Sequence, residues 1–161
     1  MKEFEIINPD AEETEEGVPE EVALNNAINK GRSVDKKCDL LIACDTVVAC
    51  DNVIYGKPHT DENAREMLKK LRGKTHEVVS GVYLKVKGKE ITFTEKSYVK
   101  IKNLTDNEID SYVESCHPVD KAGAYGIQDG RIVESYRGDY DNIVGLPTAR
   151  IREIYFKENE N

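Results

Sequence analysis

The chain has 161 residues, which is enough for one domain with a buried core, and its four cysteines include no C-x-x-C pair. A formal net charge of -8 argues against the basic surface that binding to nucleic acid or to an anionic membrane requires. No leader-like segment and no apolar stretch of about 18 residues is visible, so we expect a cytoplasmic protein. We interpret the cysteines as buried, reduced thiols in preference to a metal cluster.

The beginning of the chain predicts a strand, an acidic loop and a helix. The apolar run at residues 4–7 predicts the strand, and the acidic residues 10–16 predict the loop. Pro19 suits a first helical turn, and Gly31 suits the end of the same helix. We therefore predict a helix over residues 19–31.

A carboxylate interrupts the next apolar segment. Residues 40–49 are nearly continuously apolar, as expected for a strand buried on both faces. Asp45 lies inside this strand, where a carboxylate must be paired, hydrogen-bonded or bound to metal to remain charged. A turn at Asp51-Asn52 predicts a second, returning strand, which would bring Lys57 close to Asp45.

Helices and strands alternate through the second half of the chain. The predicted elements are a helix over 64–71 closed by Gly73, a hairpin of 78–86 and 90–101, a helix between the capping box at Thr105 and Pro118, a strand over 131–136, and a helix from Pro147. Because hairpins interleave with helices, we predict an α/β fold with an elongated mixed β-sheet and flanking helices.

The most informative segment is residues 120–128, with the sequence D-K-A-G-A-Y-G-I-Q, which we call the signature run. Its small residues frame one aspartate, one lysine and one glutamine. Small residues allow a backbone to approach a ligand closely while polar side chains point at it. The signature run therefore predicts a binding site.

Together with A-C-D-T at residues 43–46 and G-K-P at residues 56–58, the signature run resembles the Maf family of nucleoside triphosphate pyrophosphatases. The match extends from about Phe4 to the C-terminal helix. The resemblance implies an inosine-triphosphatase-like fold of two lobes around a nucleotide cleft, in a single domain over residues 1–161. It is also compatible with a homodimer. The form of the signature run is typical of the branch that acts on dTTP and UTP.

The resemblance assigns the proton acceptor to Asp45, which would activate water directly or through a magnesium or manganese ion. Glu13 matches an acid that helps Asp45 to hold this divalent metal. From the strand pattern alone, a structural aspartate that caps backbone groups is an equally good interpretation of Asp45.

Five further residues match substrate-binding positions of the family. Lys57, Lys121 and Lys30 would contact the phosphates, although exposed lysines more commonly only solvate a surface. Thr46 and Gln128 match positions associated with substrate selection. A glutamine amide both donates and accepts, which suits the imide edge of thymine or uracil.

Members of this family usually begin with a strand and a Ser-x-Ser-Pro-Arg-Arg loop, which presents N–H groups and guanidinium groups to the triphosphate. The sequence contains no such motif, and its first residues match those that normally follow that segment. Either an internal methionine has been taken as the start or the gene product is truly shortened, and in the second case we expect lower stability and weaker transition-state stabilisation. A nucleotide-binding or cell-division regulator without turnover is therefore a second hypothesis, and action on purine triphosphates such as ITP is a third.

Overall fold

The computed structural model describes residues 3–160, whose framework is a five-stranded sheet with the order β2-β1-β3-β4-β5. Within these residues the strands are β1 (Leu40–Cys50), β2 (Val53–Tyr55), β3 (Thr75–Val86), β4 (Lys89–Ile101) and β5 (Val133–Arg137). The helices are α1 (Pro19–Arg32), α2 (Asp61–Leu71), α3 (Asp106–Cys116), α4 (Tyr140–Val144) and α5 (Thr148–Asn159), with 3-10 turns at Pro118–Asp120, Ala122–Ala124 and Ile127–Asp129.

The predicted α/β class, with one sheet and flanking helices, is confirmed. The prediction of a mixed sheet is wrong for the described residues, because all four strand pairings there are antiparallel. Two tight turns explain two of these pairings. Asp51 and Asn52 have φ of 52° and 62°, and Lys87 and Gly88 have φ of 48° and 85°. Such turns join neighbouring antiparallel strands directly.

The strand predicted at residues 4–7 is wrong, since this segment has no regular secondary structure. Its apolar alternation is present, but no strand pairs with it among the described residues, and Phe4 and Ile6 remain 77% and 83% exposed. The side chain of Glu5 instead forms an ion pair with Lys36, in the loop before β1. An apolar run becomes a strand only where a neighbouring strand supplies hydrogen bonds and burial.

Helix α1 packs on one face of the sheet at very short distance. Val22 and Ala23 form a buried cluster there with Val47 of β1 and Val79 of β3. Gly81 of β3 permits this approach, because a Cβ atom at that position would lie 2.3 Å from the backbone of Ala23. Gly31, predicted to end α1, instead lies inside it.

Contact with the ring of Tyr83 explains why a glycine occupies position 31 inside the helix. A Cβ atom at Gly31 would lie 2.1 Å from Cδ1 of Tyr83, so the glycine allows the last turn of α1 to pack on β3. The helix continues to Arg32, and Ser33 caps it.

The opposite face of the sheet carries two groups of helices. At one end, α2 and α3 cover a large apolar cluster that includes Val48, Val78 and Val99. At the other end, α5 packs against Val82 and Leu84. On this face a cavity opens between residues 120–128 and the end of α4, beside Thr46 and Val78 of the sheet.

The strand predicted to be buried on both faces is β1, and only its second half fits that prediction. Residues 47–50 are buried, whereas residues 40–46 are half-buried. The reason is that β2 pairs only with Val48–Cys50, so within residues 3–160 the first part of β1 has a strand on one side only. All four cysteines are free thiols, but only Cys50 is buried as predicted. Cys44 and Cys116 are half-buried, and Cys38 is exposed. None of the described helices has the length and apolarity needed to cross a bilayer.

Candidate active site

A cleft passes over the edge of β1 at the point where β2 ends. Successive strand residues face opposite sides, so Asp45 faces α1 and Thr46 faces the other layer. A cavity of about 100 Å³ adjoins Asp45, and a cavity of about 260 Å³ lies on the far side. Both are lined by Thr46, Lys57 and Ala122, so together they form one continuous cleft.

The carboxylate of Asp45 has a partner at each oxygen. Lys30 Nζ lies 2.9 Å from Oδ1, and Asn26 Nδ2 donates to Oδ2 at 2.9 Å. The Asp45 side chain is only 12% exposed. A charge at this depth requires such partners, because burial without them disfavours the ionised form. Helix α1 therefore fixes the orientation of the acid that the sequence singled out.

Asn26 is a site residue that the sequence reasoning missed. It is 3% exposed, and its amide bonds the Thr14 backbone twice, accepting from N at 3.1 Å and donating to O at 2.9 Å. It thus joins the acidic loop to Asp45. A signal was available in the sequence, since Asn26 shares a helical face with Val22 and Ala23, and a buried amide there must find partners.

Lys30 lies between two acids. Its ammonium contacts Glu13 Oε1 at 2.8 Å and Asp45 Oδ1 at 2.9 Å. Burial lowers the pKa of Lys30, but hydrogen bonds and charge from Glu13 and Asp45 outweigh it, and the net pKa is raised. Lys30, predicted from the resemblance to contact phosphate, therefore binds the two predicted metal ligands in this structure.

The acidic loop supplies the oxygen ligands that a hard divalent ion prefers. Glu13 and Glu15 line the smaller cavity with Asp45. No group of three or more His, Cys, Asp or Glu side chains among residues 3–160 is arranged as a complete metal site. A carboxylate offers about four acceptor positions, so Asp45 retains free positions beside its two hydrogen bonds. The donor set fits a magnesium-type site of one or two carboxylates, completed by water and phosphate.

The signature run folds as three consecutive 3-10 turns that pack on the β2–α2 connection. Gly123 N donates to Gly56 O at 3.3 Å, which ties the run to the turn that carries Lys57. A Cβ atom at Gly123 would lie 3.0 Å from Val48, and both Gly123 and Ala124 have positive φ, 72° and 59°. Gly123 therefore packs against β1, whereas Ala122 and Gly126 line the cleft, and their close approach to a ligand stays a prediction.

Hydrogen bonds of two buried tyrosines, Tyr112 and Tyr125, connect the signature run to the core. Tyr125 OH lies 2.7 Å from His76 Nε2, and Tyr112 OH donates to Asp129 Oδ2 at 2.6 Å and accepts from Gly126 N at 3.2 Å. Burial lowers the pKa of His76 to about 4, so it is neutral at pH 7. Neither contact is predictable from local sequence, since the partners are 49 and 17 residues apart.

The larger cavity contains the remaining predicted residues. Thr46, Lys57, Lys121 and Gln128 all line it. Lys121 Nζ lies 3.5 Å from Asp120 Oδ1. Within residues 3–160, the side chains of Lys57 and Gln128 form no hydrogen bond or ion pair with the protein. These two polar groups are available to a ligand in the cleft.

Comparison with protein-family profiles matches residues 1–157 to Maf, described as Maf-like protein. The chain belongs to the Maf family. This confirms the resemblance inferred from residues 43–46, residues 56–58 and the signature run. The cleft over β1 is therefore the candidate active site of a Maf protein.

Several relatives of this Maf protein are named dTTP/UTP pyrophosphatase. The protein of Bacillus cereus (strain B4264) is 42% identical over 158 residues, which are 94% of this chain and 83% of the relative. That of Bacillus thuringiensis subsp. konkukian (strain 97-27) is 43% identical over the same shares. The protein of Thermosipho africanus (strain TCF52B) is 43% identical over 154 residues, 94% of this chain and 80% of the relative.

Proposed function

We propose that this Maf protein hydrolyses dTTP and UTP to the monophosphate and pyrophosphate. One observation carries the proposal. Asp45 is held by Lys30 and Asn26 in the wall of a cleft, and the far side of this cleft presents Lys57 and Gln128, which have no side-chain partner among the described residues. A fixed acid opposite available cationic and amide groups suits an anionic substrate that must be attacked by water. The names of the curated relatives support the same activity.

Asp45 acts as the general base in the proposed reaction. Its carboxylate accepts a proton from the water that attacks the phosphoanhydride between the α and β phosphates, and pyrophosphate leaves. Lys30 and Asn26 hold the two oxygens in place, so the proton acceptor is oriented before the substrate arrives. Such a base contributes about 10² to 10⁴ to the rate.

Lys57 and Lys121 are the proposed phosphate contacts. Both line the larger cavity, and Lys57 also lines the smaller one beside Asp45. Local positive charge is needed here, because the whole chain has a formal net charge of -8. The two lysines would neutralise the leaving pyrophosphate, while Lys30 remains engaged with acids.

A divalent ion, magnesium or manganese, is the proposed cofactor, held by Asp45 together with Glu13 or Glu15. When bound, it would neutralise phosphate oxygens and lower the pKa of a coordinated water. Glu15 is close to the turn that carries Lys57, since a Cβ atom on Gly56 would lie 2.3 Å from a carboxylate oxygen of Glu15.

The proposed location of the reaction is the cytoplasm, where nucleoside triphosphates are found.

Base selection is assigned to Thr46 and Gln128, which line the same cavity. The Gln128 amide can donate to a carbonyl of an imide, and the Thr46 hydroxyl can accept from its N–H. The alternative of a binding protein without turnover is not favoured, because the relatives are named as enzymes and the proton acceptor is present.

The direct test is pyrophosphate release from dTTP, UTP, CTP, GTP and ITP with magnesium or manganese. We expect turnover of dTTP and UTP above the other three substrates. Turnover should require the metal, and it should stop when the metal is chelated. Equal turnover of all five substrates, or none by folded protein, would contradict the proposed function.

A further inference from the structure

The hydroxyl of Ser80 lies directly behind the part of the cavity wall that Thr46 forms. Thr46 and Ser80 are opposite each other in the β1–β3 pairing, so both side chains are on the same face, and their oxygens are 2.7 Å apart. Ser80 is completely buried, whereas Thr46 is half-buried and lines the larger cavity. Thr46 therefore connects a buried hydroxyl to the space available for a base.

The direction of these hydrogen bonds follows from the number of donors and acceptors. A hydroxyl has one hydrogen and two lone pairs. Thr46 Oγ1 has two oxygen partners, Ser80 Oγ at 2.7 Å and Gly145 O at 3.3 Å. The carbonyl of Gly145 can only accept, so Thr46 donates to it and receives the hydrogen of Ser80. The remaining lone pair of Thr46 is then available to the cavity.

The opposite direction would leave the Ser80 hydrogen without an oxygen acceptor. Among the described residues, Thr46 Oγ1 is the one oxygen within hydrogen-bond distance of Ser80 Oγ. The other polar neighbour is the sulfur of Cys44, a weak acceptor. A buried donor without an acceptor is unfavourable, and the observed geometry avoids it only when Ser80 donates to Thr46.

The thiol of Cys44 is a second donor to the carbonyl of Gly145. This thiol donates to Gly145 O at 3.3 Å. The carbonyl of Gly145 thus accepts from two side chains, which uses both of its lone pairs and leaves none directed at a ligand.

We propose that Ser80 fixes Thr46 as a hydrogen-bond acceptor toward the cavity and thereby selects pyrimidines with an N–H group at ring position 3. Uracil and thymine carry this hydrogen, whereas cytosine has a lone pair there, which would oppose the lone pair of Thr46. Ser80 is a positioning residue, since it acts through Thr46 and does not touch the base. The inference rests on the proposed function, because it assumes that the base lies in the larger cavity.

The test compares wild type with Ser80→Ala and Ser80→Thr. For each protein, calorimetry measures the dissociation constants of the non-hydrolysable α,β-imido analogues of UTP and CTP, and pyrophosphate release measures kcat/KM for UTP and CTP. We expect wild type to prefer the uridine compound by about tenfold or more. Ser80→Ala should lose most of this preference, because its Thr46 hydroxyl no longer receives a hydrogen from Ser80. Thr46 can then turn its own hydrogen to cytosine, while Cys44 still donates to the Gly145 carbonyl. Ser80→Thr should restore it.

Ser97→Ala is the matched control, since Ser97 is also completely buried and its hydroxyl bonds Asp139 O and Asn142, not Thr46. It should lower the melting temperature and keep the uridine preference. The proposal is overturned if Ser80→Ala keeps the wild-type preference, or if Ser97→Ala loses as much. Absence of turnover by wild type, with the predicted changes in the binding ratio, would contradict the proposed function and still support the role of Ser80.

Discussion

On the α1 face of β1, both oxygens of Asp45 already have protein partners, and Lys30 is shared between two acids. On the opposite face, Lys57 and Gln128 form no side-chain contact of that kind within the described residues. The two regions line the same cleft. The difference fits the proposed function, in which internal bonds orient the proposed proton acceptor and the other face leaves its polar groups to bind the substrate.

The largest expected effect comes from removing the negative charge of Asp45 on the α1 face. Asp45→Asn keeps the size of the side chain but not the proton acceptor, so kcat should fall by about 10³. Asp51→Asn makes the same change in the exposed turn after β1 and should leave kcat unchanged. Similar losses in both variants, or retained turnover in Asp45→Asn with an unchanged melting temperature, would contradict the assignment of the base.

The signature run packs on buried residues that include His76, which contacts Tyr125. The pKa of His76 allows its contribution to the free energy of unfolding to be measured. Its pKa of about 4 in the folded state lies below the ordinary value of 6.5. Between these values the unfolded chain binds the proton and the folded chain does not. The stabilisation is therefore complete above pH 6.5 and is lost as pH falls toward 4, by about 3 kcal/mol.

Denaturant unfolding from pH 7 to pH 4.5 checks this expectation. His76→Gln should flatten the dependence of the unfolding free energy on pH in this range. His117→Asn is the control, because His117 is exposed in a left-handed turn that asparagine tolerates, and it should keep the wild-type dependence. An unchanged slope in His76→Gln would show that another group causes the loss.

A smaller effect is expected from the unpaired lysine. Lys57→Met should lower kcat/KM for UTP by about thirtyfold, equivalent to about 2 kcal/mol for a charged hydrogen bond to phosphate. The melting temperature should not change, because no protein partner among residues 3–160 loses a contact. Lys70→Met, on the exposed face of α2, is the control. If both variants lose activity equally, general electrostatic attraction explains the effect of Lys57.

The smallest expected effect concerns orientation. Asn26→Leu removes the hydrogen bond to Asp45 Oδ2 and both bonds to the Thr14 backbone, so kcat should fall by about tenfold with little change in KM. Asn25→Leu, one residue earlier and exposed, should retain full activity. A raised KM with unchanged kcat in Asn26→Leu would assign Asn26 to substrate binding instead.

Local signals were sufficient for most elements. The capping box at Thr105, the turn at Asp51 and the periodicity of α2 each lie within a few residues, and the structure contains all three. The strand expected at residues 4–7 failed, because its existence depends on a partner strand that local sequence does not specify. Helix α5 begins at Thr148, within one residue of the start predicted from Pro147.

The site was predictable in its residues but not in its contacts. Asp45 was conspicuous as a charge in an apolar strand, and Lys57 followed from the hairpin. The contact between Asn26 and Asp45 depends on how close α1 lies to the sheet, which one sequence does not reveal. The same is true of His76 and Tyr125, which are adjacent only because β3 passes under the signature run.

Gly81 is a position where substitution should disrupt the site, although Gly81 is not among the residues that line the cleft. It is opposite Asp45 in the β1–β3 pairing, and the backbone of α1 occupies the space that a side chain would need. Any larger residue would displace α1 and withdraw Asn26 and Lys30 from the acid together. A survey of tolerated substitutions would therefore classify this buried glycine with the catalytic positions, although its only function is to bring a helix near.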